Sequence, residues 1–430
     1  MNDTSPLTRP REFLTALFHE AVSVADPMHV VAEHLPEPEP GGGRLVIIGA
    51  GKASARMAEA AEAHHGPGTI EGFVITRYGY ARPCRDVEIA EAAHPVPDQA
   101  GVNATQRLLE LVAELTADDQ VVALISGGGS ALLCAPRDGL TLDDKIAVND
   151  ALLASGAPIG EMNVVRKHLS RIKGGQLAAA CYPAKLRSLM ISDVPGDNPA
   201  MIASGPTVGD SSTAADALAI LDRHALTVPD SVRDALGKGS GVLPEDDPRL
   251  ALVDNRIIAA PSRSLEAAAA MARRAGCDVE LLGDALEGEA REVARAQVTL
   301  ALGRRAAVAD AGRPLLLLSG GECTVTRHGN GSGGPNAEFV LAAALALDGA
   351  PHIHVLAGDT DGVDGAAEVA GAVAGPHTLE LAAQRGLDPR AALENNDAHG
   401  FFERIESQLL TGPTLTNVND FRAILIQPST

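Results

Sequence analysis

The residues of this sequence best placed to do chemistry are glycines that follow apolar runs and lead into a lysine or a hydroxyl. Gly49-Ala50-Gly51-Lys52-Ala53-Ser54 closes the run RLVIIG, and Ser126-Gly127-Gly128-Gly129-Ser130 closes VVALI. Without Cβ atoms such a backbone can wrap around phosphate oxygens, and the free amides of a turn or helix start attract anions. A lysine beside them suits a phosphate or a developing negative charge. The competing reading of Lys52 is a solvated side chain on a tight βα turn. A third turn, Ser319-Gly320-Gly321-Glu322, leads through CTVT to GNGSGGPNAE (329–338) and reads equally as a site or as a glycine-rich surface hairpin.

Charged residues cluster at two further places. EMNVVRKHLSRIKGG (161–175) brings Arg166, Lys167, His168, Arg171 and Lys173 together in a chain that is otherwise strongly acidic. Arg166 with Ser170, and Lys167 with Arg171, are four apart and are expected to share a helix face that draws in an anionic substrate. Its alternative is a solvated face. In ISDVPGDNPAMIASGPT (191–207), Asp193 ends an apolar run, a position suited to Mg²⁺ or a general base. Asp197, inside Pro-Gly-Asp-Asn-Pro, reads more readily as a turn residue. AGDTDGVDG (357–365) supplies Asp359, Asp361 and Asp364, but position 370 is Ala, so the loop is no EF-hand. His94 and His399 stand alone and read as structural. There is no zinc-ligand spacing and no GxSxG elbow, which argues against a zinc enzyme or a serine hydrolase.

The elements that must position these residues are legible as apolar runs separated by helical patterns. Strands are expected at 44–49, 72–77, 121–126, 186–192, 256–260, 314–320 and 352–358. Helices are expected at 52–64, 101–115, 212–224, 262–275, 287–310 and 336–348. The runs are continuous rather than alternating, as when helices cover both sheet faces, and strand–helix alternation implies βαβ units. The expected fold is α/β with two domains: a Rossmann-like, mostly parallel sheet over 10–240 and a smaller α/β domain over 250–428. The stretch 237–249, rich in Gly, Pro and acids, serves as linker, and the active site is expected in the cleft between the domains.

Composition narrows the function classes. The chain has 430 residues with 35 Lys+Arg against 56 Asp+Glu, a net charge of −21, and only three Tyr, seven Phe and no Trp. Nucleic acid is thereby disfavoured, because phosphate backbones need clustered cations and single strands need aromatic platforms. Five dispersed cysteines without a CxxC read as reduced thiols, and no run reaches the roughly 20 apolar residues of a membrane span. The opening MNDTSPLTRPREFL lacks an apolar signal core, so a cytoplasmic location without membrane association is expected. GAGKAS is no Walker A loop, because Ala follows GK. It is also an incomplete dinucleotide fingerprint, since the strand that should supply a ribose-binding acid ends in Arg77.

Taken in order, GAGKAS, HPVPD, SGGGSALL, MNVVRKHLSRIKGGQLA, ISDVPGDNPAMIASGPT, LSGGE, AGDTDGVDG and TGPTLTNVND closely resemble the class II glycerate 2-kinases. These join a DUF4147 N-terminal region to a MOFRL C-terminal domain, and the likeness runs from about residue 12 to the end of the chain. The resemblance implies transfer of the ATP γ-phosphoryl group to the 2-hydroxyl of D-glycerate with Mg²⁺. It implies Lys52 as the catalytic lysine, with Asp193 orienting the hydroxyl or the metal, and Asp193 with Asp197 as Mg²⁺ ligands. ATP and its phosphates are assigned to Gly49, Gly51, Ser126, Gly127, Gly128, Gly129, Ser130, Gly320, Glu322 and Asn336. The glycerate carboxylate is assigned to Arg166, Lys167, Arg171 and Lys173. Where many members read GGRNQE this chain has Gly333-Gly334-Pro335-Asn336-Ala337-Glu338, so an arginine acting on phosphate is missing. Arg166, Arg171, Lys173 or Arg327 are the candidate replacements. Alternatives are an NAD(P)H-dependent hydroxypyruvate reductase, a kinase of a related sugar acid, and a sensor without turnover. The partners expected are D-glycerate and ATP, and a homodimer is one assembly the sequence allows.

Overall fold

The computed structural model describes residues 5–38 and 41–429. Residues 1–4, part of the opening segment read above for a signal, lie outside the described residues. The chain divides into two units, one of Pro27–Ile258 and the other joining the stretch that ends at Asp26 to the one that begins at Ala259.

The first unit is built on β1 (Leu45–Ala50), β2 (Glu71–Arg77), β3 (Val87–Ala92), β4 (Gln120–Ile125), β5 (Lys185–Ile191) and β6 (Val253–Ala259). Their order is β3-β2-β1-β4-β5-β6, and the ladders from β3 through β5 are all parallel. Every residue of β1 is buried, as a central strand covered on both faces requires. Five of the seven expected strands fall in this sheet, each within a few residues of its expected bounds; β3 was not expected. VEIAEA carries two glutamates, and this edge strand accommodates both: Glu88 is exposed and pairs with Arg107, and Glu91 accepts from the N–H groups of Gly79 and Ala81. Helices Ser54–His65 and Gln99–Val112 pack on the sheet, the second capped by Asp98, whose carboxylate accepts from Gly101 N–H at 3.0 Å.

The other unit carries β7 (Asp278–Leu281), β8 (Gly288–Glu289), β9 (Leu315–Ser319), β10 (Cys323–Thr324), β11 (Ile353–Asp359), β12 (Gly371–Ala374), β13 (Gln408–Leu409) and β14 (Asp420–Ile426). Strands β8 and β10 form a short parallel pair, and the main sheet runs β13-β12-β11-β14-β9-β7. Only β7 with β9 is parallel there; the other ladders are antiparallel, so the βαβ reading does not extend to this sheet. All seven residues of β14 are buried, which makes a central antiparallel strand look like a parallel one in sequence.

The units differ from the expected division at both ends. Helix Pro10–Ser23 belongs with the later unit, where its apolar stripe of Phe13, Leu14, Leu17, Phe18 and Ala21 packs with Leu265, Leu316, Leu318, Leu356 and Phe421. At the other end, the earlier unit continues past the 237–249 stretch to take β6 as its sixth strand. No helix among the described residues is long and apolar enough to cross a membrane.

Candidate active site

In a doubly wound sheet the ligand crevice lies beyond the carboxyl ends of the two strands where the winding reverses. Here those strands are β1 and β4, and the turns that leave them are GAGK and SGGGS. The two turns are stitched together. Lys52 N–H donates to Gly127 O at 2.8 Å, Ala53 N–H donates to Ser126 Oγ at 3.0 Å, and Ser54 Oγ lies 3.1 Å from Ser126 Oγ. From β2, Thr76 Oγ1 donates to Gly51 O at 3.0 Å.

The glycines divide by role. A Cβ on Gly49 would sit 2.2 Å from Leu124 O, and one on Gly51, at φ +146°, 2.0 Å from Ser126 Oγ. Both are buried against β4, so close strand approach accounts for them and neither offers the ligand surface expected of it. Gly129 is likewise pressed on Ala203 Cβ, 2.7 Å from where its own Cβ would be. Gly128 differs: it has φ +80°, and its missing Cβ would meet His94 at 3.1 Å and Lys52 Cγ at 3.2 Å. Lys52, Gly128 and His94 therefore meet at one point. Among the described residues, the amides of Gly127, Gly128 and Ser130 donate to no acceptor. Beneath the loop, Ser130 Oγ lies 2.8 Å from Ser204 Oγ, which donates to Asn163 Oδ1 at 3.2 Å. Asp197, Ala203 and Ser204 all hold positive φ (+53°, +50° and +62°), a cost that non-glycine residues bear where surrounding structure enforces it, commonly at functional sites.

Beside Gly128 and Ser130 opens a cleft of about 330 Å³ lined by His94, Lys145, Asn149, Arg166 and Lys173, with Pro95, Pro97, Ala131 and Leu153 as its apolar wall. Lys173 is 2% exposed and its Nζ donates to Ser130 O at 2.7 Å. Arg166 donates through Nε (3.1 Å) and Nη2 (2.6 Å) to the neutral Asn149 Oδ1. No carboxylate among the described residues pairs with Lys145, Arg166 or Lys173. Burial, then the charges of Lys145 and its neighbours, pushes the Lys173 amine well below the ordinary lysine range. Burial also lowers Lys145, with Arg166 adding to the effect, and burial lowers Arg166. Like charges gathered without a counter-ion are costly, and an anion relieves the cost.

The rest of the cationic cluster goes elsewhere. Helix Ile159–His168 ends before Ser170, so the expected shared faces of Arg166 with Ser170 and Lys167 with Arg171 do not form. Lys167 is buried in an ion pair with Asp210, which cancels its charge. Arg171 turns outward to Pro136 O (3.1 Å) and Gln106 Oε1 (3.3 Å), with its side chain 43% exposed. Neither lines the cleft. His168 is clamped between Ser240 Oγ (2.6 Å) and Ser212 Oγ (3.0 Å).

Asp193 and Asp197 lie in the segment after β5, both half-buried. Asp197 Oδ1 is buried and has no hydrogen-bond partner, a carboxylate oxygen suited to a cation. No group of three His, Cys, Asp or Glu side chains among the described residues forms a metal cage. That suits Mg²⁺, which is commonly held by one or two carboxylates together with substrate phosphates and water.

Gly320, Glu322 and Asn336 belong to the other unit. Gly320 O accepts from Arg422 Nη1 at 3.0 Å, and Glu322 is exposed. Asn336, 1% exposed, donates through Nδ2 to Asp420 Oδ1 (2.7 Å) and Asp364 Oδ1 (3.3 Å). Two carboxylates at this amide make it a poor phosphate ligand. His399 Nε2 lies 3.1 Å from Asp364 Oδ2, in keeping with its structural reading. Pro335 opens helix Pro335–Leu347, and of the candidate replacements for the missing arginine, Arg166 and Lys173 line the cleft while Arg327 lies exposed on Gly329 O and Gly331 O.

Lys145, Asn149 and His94 were not expected in a site. A signal for the first two exists: Thr141 and Asp144 form a capping box that starts helix Leu142–Ser155. That start sets Lys145, Asn149 and Leu153 four apart on one face, the face that lines the cleft.

A doubly wound sheet with a glycine loop, a lysine and a cation-lined cleft at its switch point is the kind of site that suits anionic groups, phosphoryl groups included. Residues 13–237 match DUF4147, described as a domain of unknown function, and residues 315–420 match the MOFRL family. The chain is 51% identical to an Agrobacterium vitis protein provisionally named a hydroxypyruvate reductase, over 97% of this chain and 94% of that one. It is 39% identical to the D-glycerate 2-kinase of Thermotoga maritima, over 88% of this chain and 89% of the other. A crystal structure of glycerate kinase from Thermotoga maritima superposes with a TM-score of 0.86 at 37% identity, covering 97% of this chain and 99% of that one. The chain belongs to the glycerate 2-kinase family that joins a DUF4147 region to a MOFRL region.

Proposed function

We propose that the protein transfers the γ-phosphoryl group of ATP to the 2-hydroxyl of D-glycerate, yielding 2-phospho-D-glycerate and ADP. The observation that carries this reading is the convergence of Lys52 and Gly128 on the cleft lined by Lys145, Arg166 and Lys173, whose lining includes no acid among the described residues. Phosphoryl transfer proceeds through a loose transition state with charge spread over its equatorial oxygens, so positioning and positive charge do most of the work. Lys52 and the unbonded amides of Gly127, Gly128 and Ser130 face that charge. Lys145 and Arg166 hold the glycerate carboxylate in the adjoining cleft. Asp197 and Asp193 would hold Mg²⁺, which when bound shields the charge of the terminal phosphates.

A reductase reading has one observation in its favour, the strand order that this sheet shares with dinucleotide-binding folds. Against it, Ser126 fills the first turn, and Arg77, at the end of β2, stacks on Tyr80 with 5.4 Å to the ring centroid. Incubation with D-glycerate, Mg²⁺ and ATP, with ADP and NADPH oxidation followed in parallel, separates the two. ADP release with 2-phosphoglycerate identified by NMR is expected; NADPH oxidation on hydroxypyruvate without ADP release would reverse the assignment.

A further inference from the structure

The kinase reading leaves open which group removes the proton of the acceptor hydroxyl. We propose that Lys173 is that general base, while its neighbours Lys145 and Arg166 supply the fixed positive charge that holds the substrate. The inference rests on the phosphotransfer reading above and names a residue role within it.

Three observations carry it. Lys173 is 2% exposed and lines the cleft, so it is shielded from solvent and faces the space the substrate would fill. An ammonium has three donors to satisfy, yet among the described residues Lys173 Nζ has one acceptor, Ser130 O at 2.7 Å. A neutral amine leaves fewer donors unmet and keeps a lone pair. The charged groups around it are Lys145 from one helix and Arg166 and Lys167 from another, with Cys134 and His94 as its other titratable neighbours. Asp210, the acid that reaches this cluster, is already bound to Lys167. Burial and the three neighbouring cations favour the uncharged form while Cys134 opposes them, and the lowered amine of Lys173 agrees with the balance.

The step balances. The hydroxyl O–H bond breaks and its proton moves to Lys173 Nζ, giving an ammonium. The new O–P bond forms as the bond from γ-phosphorus to the ADP oxygen breaks, and the ammonium later releases its proton to water. Lys145 and Arg166 remain charged throughout.

Three measurements test this together. Wild-type kcat/KM for D-glycerate should show an acid limb that moves to lower pH on warming, as amines do and carboxylates do not. Lys173→Arg, which keeps the charge and cannot lose it, should lower kcat about 10²–10⁴-fold with little change in KM and abolish the limb. Small primary amines should partly restore Lys173→Ala in proportion to their basicity. Lys173→Arg retaining wild-type kcat and the same limb would overturn the proposal. Titration of ¹³C-labelled lysine by NMR, with the Lys173 signal identified by its loss in Lys173→Arg, reads the amine independently of turnover. A neutral amine near pH 7 is expected, and an ammonium throughout overturns the base whatever the reaction. Absence of ADP release by the wild type would instead sink the kinase reading, leaving the NMR titration to decide Lys173 for another acceptor.

Discussion

Gly51 and Gly128 look interchangeable in sequence and have opposite consequences in the fold. A Cβ at Gly51 would fall 2.0 Å from Ser126 Oγ, in a buried seam, so Gly51→Ala is expected to destabilise by about 3 kcal/mol, read as a lower denaturation midpoint. At Gly128 the neighbours are the side chains of His94 and Lys52, and the strain is that of a positive φ, about 1 kcal/mol. Gly128→Ala should therefore lower kcat more than stability. Lys52→Ala tests the same point from the other side: a loss of about 10²–10³ in kcat with an unchanged melting temperature is expected, and near-normal kcat would remove Lys52 from the transition state. Lys145→Met should raise KM for D-glycerate far more than KM for ATP, because it holds the acid and not the nucleotide.

Two elements carry more than their own packing. Helix Leu142–Ser155 begins at the capping box of Thr141 and Asp144 and presents Lys145 and Asn149 to the cleft. Loss of the cap in Thr141→Ala should cost about 1 kcal/mol and raise the glycerate KM as the first turn frays. In the second sheet, His354 on β11 has its imidazole pushed down to about 4, first by burial and then by His352 and His377, with Gln427 opposing. The unfolded chain titrates near the ordinary value of about 6.5, so it takes up a proton first as pH falls. Stability is therefore complete above that value and lost progressively down to about 4. Melting temperatures measured over this window should fall in the wild type and flatten in His354→Gln.

At the scale of the chain, each unit has its own sheet and core, and helix Pro10–Ser23 ties the start of the chain to the later unit. Deleting the residues before Asp26 should expose Leu316, Leu318 and Phe421. Amide exchange should then accelerate in β9, β11 and β14 and stay unchanged in β1 and β4. Salt gives a second whole-protein readout. The chain carries −21 overall, so its field repels anions and the local cationic cleft must overcome it. Ionic strength acts on both, but the partly buried cluster is screened less than the surface acids. Glycerate KM is accordingly expected to rise only modestly with added salt, and a steep rise would place the binding cations at the surface.

The local signals were sufficient for five of the six strands of the first sheet, all but the edge strand β3: continuous apolar runs marked those five, and glycines after them marked where β1 and β4 end. They also singled out Lys52, Gly128, Ser130, Arg166 and Lys173, because charge and glycine are properties of single positions. Whether a cation is spent or available is a different matter. Lys167 and Lys173 are six residues apart in one motif, yet Asp210 neutralises the first while the second meets Lys145 and Ser130 O, and both partners come from distant stretches of chain. Strand direction in the second sheet was equally hidden, since β14 is buried on both faces and its apolar run carries no mark of its antiparallel neighbours. Composition and periodicity determine which segments are buried and where the chain turns. Which buried charges are left without a partner depends on contacts between residues far apart in sequence, and only the folded chain decides that.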